Sequence, residues 1–454
     1  MALREVGEEA TATGERKAAV TDVARLLSTV GAPFLAGGPI ARRRPVMGLL
    51  ERMNSDAATV REVARLRGRY GSAPLPMNIV GRDVAVVLSP TDVDRILRTE
   101  ADAFTAANRE KEAALRPFQP RGVLISRGEM RAERRSVNER ALDTDRPLHG
   151  LAAPFEEAVA DEAERLLQTA RSTGTLDAEQ FTVAWWRLVR RIVLGDAARD
   201  DDTLTDELWT LRSNGNWSFA HPVRHRLRDR FTQRLQHAVE AAPSDSLAGV
   251  IRDMPVSASV DAVGQIPHWL FAFDAAGMVT ARTLAVLATH PEHRERARDD
   301  IASGDRTQPR TLDFVRACVL DTTRLWPTTP AILRDSLVRT EWEDERGRFA
   351  IPAGAAFVIL ASAFHRDPDV VPFADRFDPE IWLDGRAEEY PALVPFSAGP
   401  AGCPGRNLVL FVTSTLLASL LDKADFTLTS GQRLRPDEPL PATLNNFGLE
   451  FAVK

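Results

Sequence analysis

Hydrophobic positions recur at helical spacing along most of the chain, and only a few short segments alternate between apolar and polar positions. This pattern predicts helices over residues 55–70, 89–97, 128–142, 153–169, 177–194, 205–211, 222–241, 311–325 and 407–421. The most apolar stretch, 260–290, predicts a very long helix buried at the centre of the protein. Short strands are predicted within 76–87 and 348–360, so the pattern indicates a mainly α fold with small β-sheets.

No internal repeat or low-complexity linker divides the chain. We therefore expect residues 25–454 to form a single domain, preceded by a flexible tail over residues 1–24. Hydrophobic residues make up 44% and charged residues 27% of the sequence, which is enough to bury a large core. The net charge of −6 argues against a general nucleic-acid binder.

The cysteine count and the apolar stretches indicate the cellular compartment of the protein. Cys318 and Cys403 are the two cysteines, too few for a disulfide framework or a Cys-x-x-Cys zinc site, and they fit a reducing cytosol. The N-terminus carries acidic residues and no apolar core, so we expect no signal peptide. The apolar stretches at 353–364 and 407–421 are short or interrupted, below the ~20 residues that a membrane span requires. The sequence therefore predicts a cytoplasmic protein without a membrane segment.

One of these cysteines lies in a loop rich in glycine and proline that runs from Phe396 to Gly405. Such a loop suits a thiolate that must reach a metal in a crowded pocket. Gly399 and Gly405 allow the backbone to approach a flat cofactor and to turn without a side-chain penalty. Backbone N–H groups of the loop can point at the Cys403 sulfur and temper its charge, which tunes the metal.

The spacing of Phe396, Gly399, Cys403 and Gly405, followed by an apolar helical segment, resembles the haem-ligand loop of the cytochrome P450 family. The resemblance implies a helix-rich triangular domain with a long central helix over haem b. It also implies that Cys403 is the axial ligand of the iron and that Phe396 covers the sulfur side of the ring. One position departs from the pattern, because Ala401 stands where the family usually has a cation for a haem propionate.

A second motif of the same family is Asp321-Thr-Thr-Arg324, an acid and an arginine three residues apart on one helix face. By resemblance the pair locks its helix to the segment that contains Arg366 and Phe377. The family usually has Glu at the position of Asp321, so the reach here is one methylene shorter. We interpret the pair as structural; the alternative is an exposed surface pair of little value.

Arginines are the candidates for binding the haem propionates, because their planar fork matches a carboxylate. The resemblance assigns this role to Arg334 on a strand and to Arg131 and Arg135 on one face of a helix. Arg131 is a candidate to compensate for the cation missing at Ala401.

In this family, the surface on the thiolate side receives a small acidic electron carrier. We expect Arg134, Arg140 and Arg406 on that surface, where they would steer a ferredoxin or flavodoxin-type donor.

The central helix departs furthest from the family, whose acid–threonine pair delivers protons during oxygen activation. Counting back from Pro291 places the acid at Asp274 and an alanine, Ala275, where the threonine belongs. A rival register, Ala276-Gly277-Met-Val-Thr280, has the threonine but Val279 in place of the acid. We prefer Asp274 as the catalytic acid. The missing alcohol leaves three outcomes: a substrate hydroxyl or a water replaces it, peroxide is used, or the chemistry is not ordinary hydroxylation.

The resemblance predicts a monooxygenase that inserts one oxygen atom from O2 into a medium-sized, mostly apolar substrate of natural-product metabolism. Separate redox proteins would supply the electrons. The expected pocket lining comprises residues 104–121, 209–219, 271–276, 328–333 and 443–447. The alternatives are a peroxide-using or non-hydroxylating haem-thiolate enzyme and a non-catalytic haem sensor.

Overall fold

A computed structural model describes residues 16–218 and 220–454 of the chain. The helices are α1 Val20–Leu26, α2 Ala32–Gly37, α3 Arg44–Met53, α4 Ser55–Tyr70, α5 Pro90–Asp94, α6 Arg109–Leu115, α7 Gly128–Ala141, α8 Ala152–Thr173, α9 Ala178–Leu194, α10 Asp202–Gly215, α11 His225–Ala241, α12 Leu247–Asp253, α13 Ile266–Thr289, α14 Pro291–Ala302, α15 Asp313–Leu325, α16 Ser362–His365 and α17 Arg406–Leu421. The strands are β1 Leu75–Ile79, β2 Arg82–Val86, β3 Phe104–Thr105, β4 Thr175–Asp177, β5 Ala331–Ser336, β6 Thr340–Asp344, β7 Gly347–Ile351, β8 Ala356–Leu360, β9 Phe426–Leu428 and β10 Glu450–Val453.

The predicted mainly α fold with small β-sheets is confirmed. The largest sheet has the strand order β1-β2-β8-β5-β3, and smaller sheets have the orders β4-β10-β9 and β6-β7. Local sequence signals explain several helix starts, as the side chains of Ser89 and Asp177 cap α5 and α9. The helix predicted over 55–70 coincides with α4.

The central helix α13 lies in the main hydrophobic core and packs against α9, α15 and α17. A glycine makes the closest of these contacts possible, because a Cβ atom at Gly277 would lie 2.6 Å from Trp185 Nε1. The indole of Trp185 donates to the carbonyl oxygen of Phe273 at 2.8 Å, which fixes α9 against the middle of α13. The predicted burial of a long central helix is thus confirmed.

The predicted helix begins several residues too early. The helix predicted from residue 260 begins at Ile266, because Asp261 adopts a left-handed conformation with φ 55° and its carboxylate accepts from the N–H of Gly264. Two short 3-10 turns, Ala258–Val260 and Val263–Gln265, precede the helix.

The expectation that no segment could span a membrane needs a correction at the same place. The helical stretch 258–289 is long and apolar enough to do so by length and composition. Burial accounts for its composition, because 72% of its apolar window is buried inside the protein, as in the core helix of a globular fold.

The N-terminal boundary of the folded part also differs from the expectation. Residues 1–15 of the predicted tail lie outside the described residues, but residues 16–24 pack against the domain. Arg16 pairs with Asp344 at 2.6 Å, and the N–H of Ala18 donates to the carbonyl oxygen of Pro76 at 2.9 Å. The predicted tail over 1–24 is therefore wrong for its last residues.

Candidate active site

The cysteine loop is closed by its own backbone. The N–H of Cys403 donates to the carbonyl oxygen of Phe396 at 2.9 Å, and the N–H of Gly402 donates to that of Gly399 at 2.9 Å. Gly399 has φ 63°, and a Cβ atom there would lie 1.7 Å from the carbonyl oxygen of Leu97. Only glycine fits this position, because both the conformation and the close approach exclude a side chain.

The protein environment shifts the pKa of the Cys403 thiol in two opposite directions. Burial raises its pKa, while the N–H of Gly405 and the charges of Arg135 and Arg406 act to lower it. An N–H group and two guanidinium groups directed at a sulfur favour its thiolate form. The predicted donation of loop N–H groups to the sulfur is supported by the contribution of Gly405.

Helix α7 holds the loop from one side through two of the predicted propionate arginines. Arg131 Nη2 donates to the carbonyl oxygen of Pro400 at 3.0 Å, and Arg135 Nη1 donates to that of Gly402 at 2.6 Å. Arg135 also pairs with Glu139 at 2.5 Å, whereas Arg131 has no carboxylate partner among residues 16–218 and 220–454. The sequence did not predict that these side chains would position the cysteine loop itself.

Arg134 does not lie on the surface where the sequence placed it. Its side chain is buried, and its guanidinium donates inward to Ser126 Oγ at 2.7 Å and to the carbonyl oxygen of Val260 at 3.1 Å. This prediction is wrong, because helical periodicity turns Arg134 away from the face of α7 that Arg131 and Arg135 share. Arg140 and Arg406 are exposed, as expected.

Arg334 on β5 is a buried cation without a carboxylate partner in the described part of the chain. It is 5% exposed, and its guanidinium donates to Ser397 Oγ at 3.3 Å and to the carbonyl oxygen of Leu333 at 2.9 Å. Burial and the nearby charge of Arg131 lower the pKa of Arg334 to about 10. Buried charges are normally paired, so this position next to the cysteine loop is prepared for an anionic ligand.

The acid–arginine pair of α15 is fully buried, which excludes the alternative of a surface pair. Arg324 Nε donates to Asp321 Oδ1 at 2.5 Å, and its other nitrogens reach the carbonyl oxygens of His365, Ala374 and Arg376. Asp321 also accepts from the backbone N–H of Asp378 at 2.8 Å. The predicted anchoring of α15 to the segment after β8 is confirmed, and the shorter acid still accepts from both Nε and Nη2 of Arg324.

The middle of α13 faces open space. Phe271, Ala272, Asp274 and Ala275 are partly exposed, although the helix from 276 to 287 is buried. Asp274 Oδ2 accepts from Arg212 Nη2 at 2.6 Å, so its carboxylate is ion-paired with α10. The sequence did not predict this partner, which comes from 62 residues away along the chain.

The structure favours the register that places the acid at Asp274. In the rival register, Thr280 is fully buried and donates its hydroxyl to the carbonyl oxygen of Ala276 at 2.9 Å, while Gly277 faces Trp185. Both residues are thus occupied by packing within the helix layer. The role of Asp274 in proton delivery stays a prediction.

A cavity of about 80 Å³, with a mixed apolar and polar lining, lies further along α13. Its lining includes Arg42, Asp56, Arg282, Thr328 and Thr443. Arg282 is 6% exposed, donates to two backbone carbonyl oxygens and leaves its Nε without a hydrogen-bond partner in the described residues. Burial lowers the pKa of Arg282 to about 10 and raises the pKa of Asp56.

The predicted lining is therefore right in part. Thr328 and Thr443 were expected, whereas Arg42 and Asp56 near the N-terminus were not. The spacing of Met278 and Arg282 after Asp274, four residues at each step, places them on one helix face and could have indicated their position. Phe219, also in the predicted lining, lies outside the described residues.

Comparisons with known proteins agree with this geometry. The family model for cytochrome P450 matches residues 272–448. A cyclooctat-9-en-7-ol 5-monooxygenase of Streptomyces melanosporofaciens is 27% identical over 69% of this chain and 72% of its own. Cytochrome P450 4c3 of Drosophila melanogaster is 28% identical, over 43% of this chain and 40% of its own. The solved structure of a retinoic acid-bound cyanobacterial CYP120A1 superposes with a TM-score of 0.68 over 86% of this chain and 93% of its own, at 18% identity.

These matches support assignment of the chain to the cytochrome P450 family and to the oxidoreductases of the monooxygenase class. The family implies a haem-iron cofactor, and the residues present fit one. A cysteine sulfur is available as ligand in a loop that only glycine can form at Gly399. Arg334 offers a buried guanidinium without a carboxylate partner in the described residues, and a haem carries two carboxylates. Cys403, Arg334 and Arg131 are the groups that would hold it.

Proposed function

We propose that this protein uses haem b to insert one oxygen atom from O2 into a medium-sized, mostly apolar substrate of natural-product metabolism in the cytoplasm. When bound, the haem would supply the iron centre for oxygen activation, and the sulfur of Cys403 would be the protein ligand that holds it. The observation that carries the proposal is the face of α13 formed by Phe271, Ala272, Asp274 and Ala275, which is partly exposed between buried helix segments.

The side chains packed around Phe271 favour an apolar substrate with a polar handle. Phe271 and Phe118 meet edge to face with ring centroids 5.8 Å apart. His268 lies one turn earlier on α13, where burial lowers its pKa to about 4, so the imidazole is neutral at pH 7. Its Nδ1 lies 3.1 Å from Gln119 Nε2. Aromatic walls with a few polar groups are typical of small-molecule sites.

The substrate would also supply the hydroxyl that Ala275 lacks. Asp274 next to it is held by Arg212, so the acid has a fixed orientation but no alcohol beside it. The monooxygenase of Streptomyces named above acts on an alcohol by its name. A hydroxylated substrate in the same position would complete the proton path from Asp274.

Electrons would come from a separate ferredoxin or flavodoxin-type protein. Arg140 on α7, the helix that holds the cysteine loop, and Arg406 at the start of α17 are exposed. Two cations on a protein of net charge −6 form a local attraction for a small acidic partner.

The test is a panel of polycyclic hydrocarbons paired with their mono-hydroxylated forms. A band near 450 nm in the reduced carbon monoxide spectrum establishes the thiolate ligand first. Products are then analysed by mass after turnover with ¹⁸O₂ and a ferredoxin–reductase pair. We expect one labelled oxygen atom per product and faster turnover of the hydroxylated member of each pair.

Ala275 also favours a second candidate, a peroxide-using or non-hydroxylating haem-thiolate enzyme. That enzyme would turn over with hydrogen peroxide alone or release a product without added label. Binding of ligands without any product, under either electron supply, would instead identify a non-catalytic haem protein and contradict the proposal.

A further inference from the structure

Lys111 on α6 and Arg334 on β5 converge on one carbonyl oxygen. Lys111 Nζ donates to the carbonyl oxygen of Leu333 at 2.9 Å, and Arg334 Nη1 donates to the same oxygen at 2.9 Å. The two nitrogens therefore lie within about 6 Å of each other. Two cations at this distance repel each other unless an anion lies between them or beside them.

The carboxylates nearest to this pair are already engaged elsewhere. Asp335 and Glu110 both contribute to the electrostatics of Lys111. Arg82 binds both of them, Asp335 at 2.7 Å and Glu110 at 3.1 Å. Neither Lys111 nor Arg334 forms an ion pair with a carboxylate anywhere in residues 16–218 or 220–454.

The ammonium of Lys111 also has fewer hydrogen-bond acceptors around it than it has N–H groups. It has three N–H groups, and the structure provides the carbonyl oxygens of Ala106 and Leu333 as acceptors. Although the side chain as a whole is half-buried, its ammonium is withdrawn from water, which lowers its pKa to about 7, with the charge of Arg334 contributing. A carboxylate in contact with the ammonium would reverse this shift.

We propose that Lys111 and Arg334 together form a carboxylate-binding site, and that it holds a propionate of the bound haem. The site adjoins the cysteine loop through the contact of Arg334 with Ser397 at 3.3 Å. Lys111 thereby provides, from α6, the cation that is missing at Ala401. This inference rests on the proposed function, since it needs a haem. An acidic substrate could present the same carboxylate, and the experiment separates the two sources.

The first measurement uses the unmodified holoprotein. The chain contains four lysines, Lys17, Lys111, Lys423 and Lys454, so labelling with [¹³Cε]lysine gives four resonances. In the substrate-free, diamagnetic ferrous–carbon monoxide state, we expect the Lys111 signal to titrate above pH 9. A midpoint near 7 in that state would overturn the assignment of a haem propionate.

The second measurement compares variants by competition of the holoproteins with a haem-scavenging protein. We expect Lys111→Met to weaken haem affinity about tenfold, the order expected for one hydrogen bond to a charged group. Lys111→Arg should retain most of the affinity. Lys423→Met, at an exposed lysine paired with Glu164 at 2.9 Å, is the matched control and should change nothing.

Other outcomes each contradict a definite part of the proposal. If Lys111→Met keeps haem affinity but weakens binding of dodecanoate relative to its methyl ester, the carboxylate belongs to a substrate. If neither ligand is affected in a protein with an intact 450 nm band, the site is refuted while the proposed function stands. If the unmodified protein shows no such band, both fall.

Discussion

The charges beside α15 and those beside the second half of α13 differ in how completely they are satisfied. On the side of α15, Asp321 and Arg324 are 0% exposed and engaged with each other and with backbone groups on every side. On the side of α13, Arg42, Asp56 and Arg282 line a cavity without an ion pair within 4 Å in the described residues. The α15 side is therefore a finished scaffold, whereas on the α13 side the Nε of Arg282 keeps hydrogen-bonding capacity for a ligand.

The largest effect is expected at the iron ligand. Cys403→Ala should abolish the 450 nm band and all oxygen insertion, because no other described sulfur lies in this loop. Cys318→Ala is the matched control, since Cys318 is fully buried in α15 and its thiol pKa is raised by burial. The control should keep the band. A thiolate-type band that survives Cys403→Ala would refute the assignment of the ligand.

Breaking the buried ion pair of α15 should lower the stability of the protein. Asp321→Asn removes the charge that compensates buried Arg324, which costs about 3–5 kcal/mol of unfolding free energy. Chemical denaturation of the holoprotein measures it. Lys423→Gln, which breaks an exposed pair with Glu164, should cost no more than about 0.5 kcal/mol.

Lengthening the side chain of Asp321 tests the fit of the buried pair more sharply. Asp321→Glu adds a methylene where the oxygens already meet Arg324 and the N–H of Asp378. We expect a loss of about 1–3 kcal/mol from overpacking, even though the family usually has Glu here. A gain in stability would show that the shorter acid is a compromise rather than a fit.

A smaller, purely kinetic effect is expected at Asp274 on α13. Asp274→Asn should lower kcat by about 100-fold or more if this acid delivers protons, with little change in the binding of substrate. The solvent isotope effect should rise, because the remaining proton path is slower. Arg212→Met is the comparison, since it removes the partner at 2.6 Å and leaves the acid in place. Unchanged kcat in Asp274→Asn with reduced stability would make the pair structural.

The smallest effects concern the electron donor. Arg140→Gln and Arg406→Gln should each raise the KM for a reduced ferredoxin by about two- to fivefold at low salt, and less at about 0.5 M salt. Arg134→Gln should leave that KM unchanged and lower stability, because its guanidinium donates to Ser126 and Val260. Equal effects of all three changes would contradict the burial of Arg134.

The sequence was most informative where a local pattern determines the structure. Helix α4, the starts of the helices at Ser89 and Asp177, and the cysteine loop all follow from residues close together in the chain. The start of α13 was misplaced, because the side chain of Asp261 satisfies the N–H of Gly264 and thereby favours a turn over a helix. Apolar periodicity cannot reveal such a competition.

The site was predictable only as far as a motif extends. Cys403 and Arg334 were assigned by resemblance, but the partner of Asp274 was not predicted, because Arg212 comes from another helix and has no motif of its own. Arg42 and Asp56 were missed for the same reason. Arg134 was predicted on the surface, because a basic residue in a basic helix is usually solvated. In the structure it is buried, because it lies on the inward face of α7.

The scarcity of lysine has a practical consequence for attaching this enzyme to a surface. Of its 58 basic side chains, 54 are arginines, which amine-reactive linkers do not modify. Lys17, Lys423 and Lys454 are exposed, whereas the ammonium of Lys111 is withdrawn from water. Coupling to an electrode through amines would therefore leave the cations at Arg140 and Arg406 chemically intact, and the immobilised protein could still be addressed by its own reductant.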